Sequence, residues 1–287
     1  MFFIIGFVMV CACVLGGYMA LGGKLSVLWQ PFEYVIIFGG GLGAMIIGNP
    51  KNVLGAVVKN LSVLLKGTKY NKKHYLELLG CMYAVFRLAK AKGELALEAH
   101  VENPSDSAIF SQFPTFANDH HAIEFFCDYL RLLTLGTSNS HEVEAVMDEE
   151  LEVHHGEAHA VAAAVTNLGD SMPALGIVAA VLGVIKTMGS ITEPPEVLGH
   201  LIGGALVGTF FGILMAYGFI SPMGGFLNQT FEQEGRYMQC IKVGIIAHMQ
   251  GYAPQVSVEF ARKTLLGGDR PSFAEVEEMI QGLPATE

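Results

Sequence analysis

The chain has 287 residues, of which 52% are hydrophobic and 15% are charged, and its formal net charge is -10. This composition is too apolar for an ordinary soluble protein of this length, so the default interpretation is a membrane protein. The acidic balance excludes nucleic acid as a partner, because phosphate binding requires a concentrated basic surface. The five cysteines follow no disulfide or zinc spacing and are predicted to be free thiols.

The first 49 residues contain two apolar runs. Residues 1–21 carry no charge and lack the basic start of a signal peptide. At about 1.5 Å per residue this run is long enough to span about 30 Å of hydrocarbon. The second run, 34–49, has Gly39 and Gly43 at the spacing that lets two helix backbones approach closely. Two membrane-spanning helices are therefore predicted in 1–49.

The segment 50–169 has a different character. Lysines follow Pro50 in quick succession, and the apolar residues between them predict an amphipathic helix at the membrane surface. Apolar residues at helical spacing continue beyond it, with a stop at Gly136 and a new helix start at Ser140 or its neighbours. The segment is predicted to be a large helical loop.

Two further apolar runs, 171–188 and 201–223, lie in the segment 170–226, and a helical tail occupies 227–287. Both runs place small residues on one face at steps of three and four. These residues are Pro173, Gly176, Ala180, Val184 and Thr187 on the third run, and Ala205, Thr209, Gly212 and Ala216 on the fourth. The faces either pack against each other or in a homo-oligomer, or they line a space that another helix occupies.

The distribution of basic residues predicts the topology. The segment 50–170 holds ten of the 17 lysines and arginines and the tail holds five, which leaves Lys24 and Lys186. The positive-inside rule then puts both termini, the loop and the tail in the cytoplasm. The predicted fold is an all-α polytopic membrane protein with four transmembrane helices.

The membrane runs carry no ionisable side chain at mid-depth. Asp170, Lys186 and His200 lie near the ends of the runs, and Glu33 precedes the second. Because an ion route normally needs an ionisable or coordinating group at depth, a carboxylate for such a route must come from another protein. The chain also lacks an enzyme's nucleophile, acid–base pair or phosphate loop, so no enzymatic activity is predicted.

Several strings resemble the MotA family of flagellar-motor stator subunits, within the MotA/TolQ/ExbB proton channel proteins. They are GGYMALGG, QPFEYVII, VENPSDSAIF, CDYLRLL, MDEELE, GDSMPALGIVAAVLGVIKTMGS, VGTFFGILMAYGFISPM, GYAPQVSVEFARKTL and RPSFAEVEE, and they cover essentially the whole chain. The resemblance implies a homopentameric ring around a MotB dimer, whose aspartate supplies the missing carboxylate and which is anchored to peptidoglycan. It further implies proton-driven torque on the rotor protein FliG and no other cofactor.

The resemblance also implies roles for residues of the membrane runs. Pro173 and Pro222 match the two family prolines that couple ion flow to movement, although a first-turn proline is an alternative for Pro173. Ala180 and Thr209 match positions near the ion path, and Tyr217 is a further lining candidate. An alanine at 180 favours protons over sodium, because a methyl group cannot coordinate Na⁺.

In the loop, Lys90 and Glu98 match the charged pair that faces the rotor, and Arg87 lies one turn from Lys90. The family commonly has arginine where this chain has Lys90, so a bidentate contact is lost there. Glu150 matches another loop carboxylate implicated in motor function. The alternative for each is a solvated helix face.

Three histidines, His154, His155 and His159, crowd one predicted helix, and the last two have the spacing of a metal-binding pair. No third ligand is fixed by the sequence, so no metal site is predicted. The alternative function is an ExbB/TolQ-like energy-transducing ring subunit. A solute transporter or a passive scaffold is a further alternative, but repeated halves and a buried polar substrate site are absent from the sequence.

Overall fold

The computed structural model describes residues 2–284, and every regular element in that range is helical. The α-helices are α1 (Phe2–Ala20), α2 (Leu25–Leu28), α3 (Pro31–Tyr34), α4 (Gly40–Gly48), α5 (Lys51–Asn60), α6 (Val63–Lys66), α7 (Lys72–Lys92), α8 (Glu98–Glu102), α9 (Pro114–Ala117), α10 (His120–Thr134), α11 (Ser140–Met188), α12 (Pro195–Met215), α13 (Ser221–Met249), α14 (Pro254–Lys263) and α15 (Phe273–Gln281). Two π-helical segments, Val35–Gly39 and Ala216–Ile220, join α3 to α4 and α12 to α13. Short 3-10 helices occur at Glu94–Leu97, Pro104–Asp106 and Phe110–Gln112. The predicted all-α class is confirmed.

Four helices are long and apolar enough to cross a membrane, and each overlaps one of the predicted runs. They are Phe3–Ala20, Pro31–Gly48, Ser140–Met188 and Pro195–Met249. The last two are longer than the sequence predicts, because α11 continues without a break from the loop into the third run. Single glycines such as Gly156 lower helix propensity by about 1 kcal/mol but do not end a helix whose flanks are packed.

The first of two compact units contains the residues up to Gly67 together with Gly156–Phe231. Its core is formed by side chains that are far apart in the sequence, among them Ile37, Val161 and Met172. The prediction of close packing at Gly39 and Gly43 is wrong for contacts within the described chain, because no atom lies within 4 Å of a Cβ placed there. The neighbouring glycines make these contacts instead, since a Cβ on Gly40 or Gly41 would lie 3.0 Å from Leu175 or Leu168.

The second unit contains Thr68–His155 and the residues from Glu232 onward. Its core is aromatic: Phe86, Phe110 and Phe126 are fully buried, and the rings of Phe110 and Phe126 lie 6.3 Å apart in an edge-to-face arrangement. Tyr237 of α13 is also fully buried and stacks on Tyr70, with 3.9 Å between ring centroids. The predicted loop and the predicted tail therefore both contribute to this unit. The division of the chain into the four segments 1–49, 50–169, 170–226 and 227–287 stays a prediction.

The start of α15 is fixed by a capping box. The Ser272 hydroxyl accepts a hydrogen bond from the Glu275 backbone N–H at 3.3 Å, and the Glu275 carboxylate accepts one from the Ser272 N–H at 2.8 Å. Lys72 of α7 forms an ion pair with the same carboxylate at 2.6 Å. The hydrogen bonds from Lys72 and then from Ser272 lower the pKa of Glu275 from 4.5 to about 2. This carboxylate therefore helps to hold α15 against α7.

We expect Glu275→Gln to lower the melting temperature of the purified protein by a few degrees at pH 7. Because the folded-state pKa of Glu275 is depressed, its contribution is fully present above about pH 4.5 and is lost as the pH falls towards about 2. The difference from wild type should therefore shrink across that interval. Glu278→Gln, an exposed carboxylate on the same helix, is the control. An equal effect of both variants, or a difference that is independent of pH, would contradict this assignment.

Candidate functional site

The helices α11 and α12 are in backbone contact along a line of small residues. A Cβ placed on Gly176 would lie 2.8 Å from the Gly208 carbonyl oxygen, and one on Gly212 would lie 2.6 Å from the Met172 carbonyl oxygen. Both distances are shorter than real Cβ contacts, so only glycine fits at these positions. The predicted small faces of the third and fourth runs thus pack against each other within the chain.

Ala180 and Thr209 lie at this α11–α12 contact. The backbone nitrogen of Ala180 is 3.5 Å from a Cβ placed on Gly208, and the Cα of Thr209 is 3.3 Å from one placed on Gly176. Both residues are half-buried. The structure therefore brings together the two residues that the resemblance assigns to the ion path, and their role in ion movement stays a prediction.

Pro173 lies in the interior of α11, far from its start at Ser140. The alternative of a first-turn proline is therefore wrong. A proline inside a helix has no N–H to donate to the carbonyl four residues earlier, which here belongs to Gly169, and its ring weakens the helix locally. Gly169 is also a point of close contact, because a Cβ placed there would lie 2.9 Å from the Ser221 backbone nitrogen.

Pro222 is the second residue of α13, and Ser221 alone separates it from the π-helical segment Ala216–Ile220. A proline at this position cannot donate to the carbonyl of Gly218, and a π-helical turn is one way in which a helix accommodates such a break. Pro173 and Pro222 thus flank the same contact, between Gly169 and Ser221. Tyr217 lies within the π-helical segment and is 65% exposed, so it does not line the α11–α12 contact.

One polar interaction at the two prolines is absent from the sequence predictions. The Ser221 hydroxyl donates to the Asp170 carboxylate at 3.4 Å, which links the helix turn before Pro173 to the residue before Pro222. The sequence places Asp170 at the edge of an apolar run but contains no signal for its partner, 51 positions away.

In the second unit, the cations at the end of α7 bind backbone carbonyls of the C-terminal region. Arg87 donates from Nη2 to the Pro284 carbonyl at 2.5 Å, and Lys90 donates from Nζ to the Gly251 carbonyl at 3.3 Å. Arg87 is half-buried, with its guanidinium 5.5 Å from the Tyr83 ring centroid, whereas Lys90 is exposed. Of the two, Lys90 is better placed to meet another protein.

The two predicted loop carboxylates are both exposed but differ in their contacts. Glu98 is the first residue of α8 and points to solvent. Glu150 of α11 accepts a hydrogen bond from the Tyr129 hydroxyl at 2.6 Å. Burial, together with this bond, raises the pKa of Tyr129, so the phenol keeps its proton and remains the donor. The alternative interpretation, that these carboxylates lie on solvated helix faces, fits Glu98. It does not account for Glu150, which has a hydrogen bond within the protein.

A buried histidine of α13 pairs with a half-buried carboxylate that follows α7, and the sequence does not indicate this pair. The imidazole of His248 is 4% exposed, and its Nε2 lies 3.0 Å from the Glu94 carboxylate. The ring also stacks on Phe86, with 4.6 Å between centroids. Because Glu94 and His248 are 154 positions apart, no local pattern could have predicted the pair.

The histidine cluster of α11 takes part in other interactions. The rings of His154 and His121 stack with 4.7 Å between centroids, and His155 Nε2 lies 3.3 Å from the Glu232 carboxylate. Across residues 2–284, no group of three or more potential metal ligands is present. The arrangement of His154 and His155 is explained by side-chain contacts.

Comparison with known proteins identifies the family. The model described as motility protein A N-terminal matches residues 4–93, and that of the MotA/TolQ/ExbB proton channel family matches residues 118–240. The chain is 44% identical to Motility protein A of Escherichia coli strain K12 over 99% of this chain and 96% of that protein. It is 31% identical to the chemotaxis protein LafT of Vibrio parahaemolyticus, over 96% and 97% of the two chains.

Solved structures agree with this result. The flagellar MotAB stator complex from Bacillus subtilis matches with a TM-score of 0.72 and 28% identity, covering 89% of this chain and 92% of that chain. The C. jejuni MotAB structure matches with a TM-score of 0.79 over 94% and 98% of the two chains, and at 22% identity it supports the fold alone. The chain therefore belongs to the motility protein A family, within the MotA/TolQ/ExbB proton channel proteins.

Proposed function

We propose that the chain is a stator subunit of the bacterial flagellar motor, which forms a proton-conducting complex with MotB and converts ion flow into torque. The observation that carries the proposal is similarity to Motility protein A over almost the full length of both chains. The matching of residues 4–93 by the motility protein A N-terminal model favours this function over that of an ExbB/TolQ-like energy transducer.

In the proposed mechanism, the α11–α12 contact is the wall of the proton path. Ala180 and Thr209 lie on this wall, and a MotB aspartate titrates beside it. A methyl group at Ala180 cannot coordinate Na⁺, which supports protons as the coupling ion. Protonation changes the charge of the aspartate and hence its preferred position against the apolar wall. Pro173 and Pro222 each remove a backbone hydrogen bond near the Gly169–Ser221 contact, so the two helices bend most easily there.

The same proposal places the second unit in the cytoplasm, together with both chain termini. The basic residues support this orientation, because 15 of the 17 lie in 50–170 and in the tail. Lys90 and Glu98 are exposed on this unit, which suits contacts with the rotor protein FliG. Copies of the chain form a ring, a pentamer by family resemblance, around the MotB helices in the inner membrane.

Deletion of the gene tests the function. We expect cells that assemble flagella of normal number but do not swim, with swimming restored by the gene on a plasmid. Electron microscopy of the filaments is the control, because a loss of filaments would indicate an assembly defect. Normal swimming of the deletion strain, with no second stator present, would overturn the proposal.

The coupling ion needs a separate measurement. We expect complemented cells to swim at full speed in sodium-free buffer and to stop when a protonophore is added. A dependence of swimming speed on sodium would contradict proton coupling while leaving the stator function intact.

A further inference from the structure

The segment 34–76 is strongly basic in a chain whose net charge is -10. It contains no Asp or Glu, since the nearest acidic residues are Glu33 and Glu77. Its lysines are Lys51, Lys59, Lys66, Lys69, Lys72 and Lys73. A local excess of this size attracts anionic groups, either within the protein or outside it.

The structure divides these lysines into two groups of three. In the second unit each lysine has an acidic partner: Lys69 pairs with Asp119 at 2.7 Å, Lys72 with Glu275 at 2.6 Å and Lys73 with Glu77 at 3.6 Å. In the first unit, Lys51, Lys59 and Lys66 are exposed, and no carboxylate of residues 2–284 lies within 4.0 Å of their ammonium groups. Lys51, Lys59 and Lys66 are therefore available to anionic groups outside the described part of the chain.

The unpaired lysines lie beside exposed apolar side chains. On α5, Val53 and Val57 are buried in the core of the first unit, whereas Val58 is 71% exposed. Val58 is seven residues after Lys51, which is two turns, so the valine and the ammonium share the exposed face. On α6, Leu65 is 60% exposed and precedes Lys66. The exposed surface of α5 and α6 therefore carries both basic side chains and side chains that favour an apolar environment.

The position of α5 and α6 in the fold limits what can cover this face. The spanning helix that ends with α4 stops at Gly48, and α5 starts at Lys51, with only Asn49 and Pro50 between them. The face therefore begins where a membrane helix leaves the hydrocarbon. At this depth apolar side chains meet acyl chains and long lysine side chains reach the headgroups.

We propose that α5 and α6 form a binding surface for anionic phospholipids, with Lys51, Lys59 and Lys66 contacting headgroup phosphates and Val58 and Leu65 contacting acyl chains. An anionic phospholipid matches both kinds of exposed residue, because its headgroup is negative and its acyl chains are apolar. An acidic protein surface would match the lysines alone, so the mixture of residues favours the lipid. None of these five residues belongs to the proposed proton path or to the proposed rotor contact.

The test is native mass spectrometry of the full-length chain, copurified with its membrane partner in detergent. Equal amounts of phosphatidylglycerol and phosphatidylcholine with identical acyl chains are added, and retained lipid is counted. We expect wild type to retain phosphatidylglycerol at least about tenfold more than phosphatidylcholine, since each lysine near an anionic surface contributes about 1 kcal/mol, or about fivefold. The variant K51Q/K59Q/K66Q should lose most of this preference.

Two controls separate the surface from bulk charge and from simple phosphate binding. K72Q/K73Q/K92Q removes the same charge from the second unit and should keep the preference. Millimolar inorganic phosphate should not displace the retained phosphatidylglycerol. No preference in wild type, an unchanged preference in K51Q/K59Q/K66Q, or displacement by phosphate alone would each overturn the proposal. Because lipid retention is measured and swimming is not, a failure of this proposal and a failure of the proposed motor function give different results.

Discussion

Replacing Gly212 by alanine is expected to abolish stable assembly of the protein in the membrane and, with it, motility. The added Cβ would lie 2.6 Å from the Met172 carbonyl oxygen and 3.1 Å from the Gly176 Cα, so α12 must move away from α11. Both neighbours are backbone atoms that no side-chain rotation can displace. Overpacking of this kind costs about 1–3 kcal/mol, and in a membrane the contact of small residues is a main source of helix association.

The matched control is Gly199→Ala on the same helix. Gly199 is exposed, and no atom of the described chain lies within 4 Å of a Cβ placed there. Alanine is favoured over glycine in a helix by about 1 kcal/mol, so this variant should be neutral or slightly more stable. The measurements are the amount of protein in washed membranes, its melting temperature in detergent and swimming speed. If Gly212→Ala behaves like Gly199→Ala in all three, the α11–α12 contact does not have the assigned role.

The four membrane runs could be predicted from the sequence because their signal is local. A long uncharged run identifies a spanning helix without knowledge of its neighbours. The ends of the helices could not be predicted in the same way. α11 is one helix from Ser140 to Met188, whereas the sequence defines only the apolar run 171–188. The residues just before that run pack in the core of the first unit against residues that are distant in the sequence, and this packing has no local signal. Because α11 is continuous through this region, Pro173 lies inside a helix and not at its start.

The residues of the candidate site could be predicted for each helix separately, but the contacts between the helices could not. The small faces that contain Ala180 and Thr209 follow from helical spacing, and the structure shows which residues they contact. The polar pairs Asp170–Ser221 and Glu94–His248 have no local pattern, because each joins helices that are distant in the chain. In this protein the face of a helix was predictable, whereas the partner of a polar side chain was not.

Reversing the charges of Lys90 and Glu98 together is expected to reduce motor torque strongly with little effect on the protein itself. Both side chains are exposed, and the described contact of Lys90 is a 3.3 Å hydrogen bond to the Gly251 carbonyl, so the loss of stability should be below about 1 kcal/mol. At an interface with complementary charges, each reversal replaces an attraction by a repulsion. Even about 1 kcal/mol per position weakens a contact about fivefold.

Lys92→Glu is the matched control, because Lys92 is exposed on the last turn of α7 and undergoes the same charge change. Torque is measured from the rotation of tethered cells at equal membrane levels of each variant. We expect strong loss for the Lys90 and Glu98 reversals and near-normal rotation for Lys92→Glu. Equal loss in all variants would mean that the overall charge of the second unit matters and not a specific contact. Normal rotation of the double reversal would remove Lys90 and Glu98 from the rotor interface and leave Glu150 as the loop carboxylate to test, through its hydrogen bond to Tyr129.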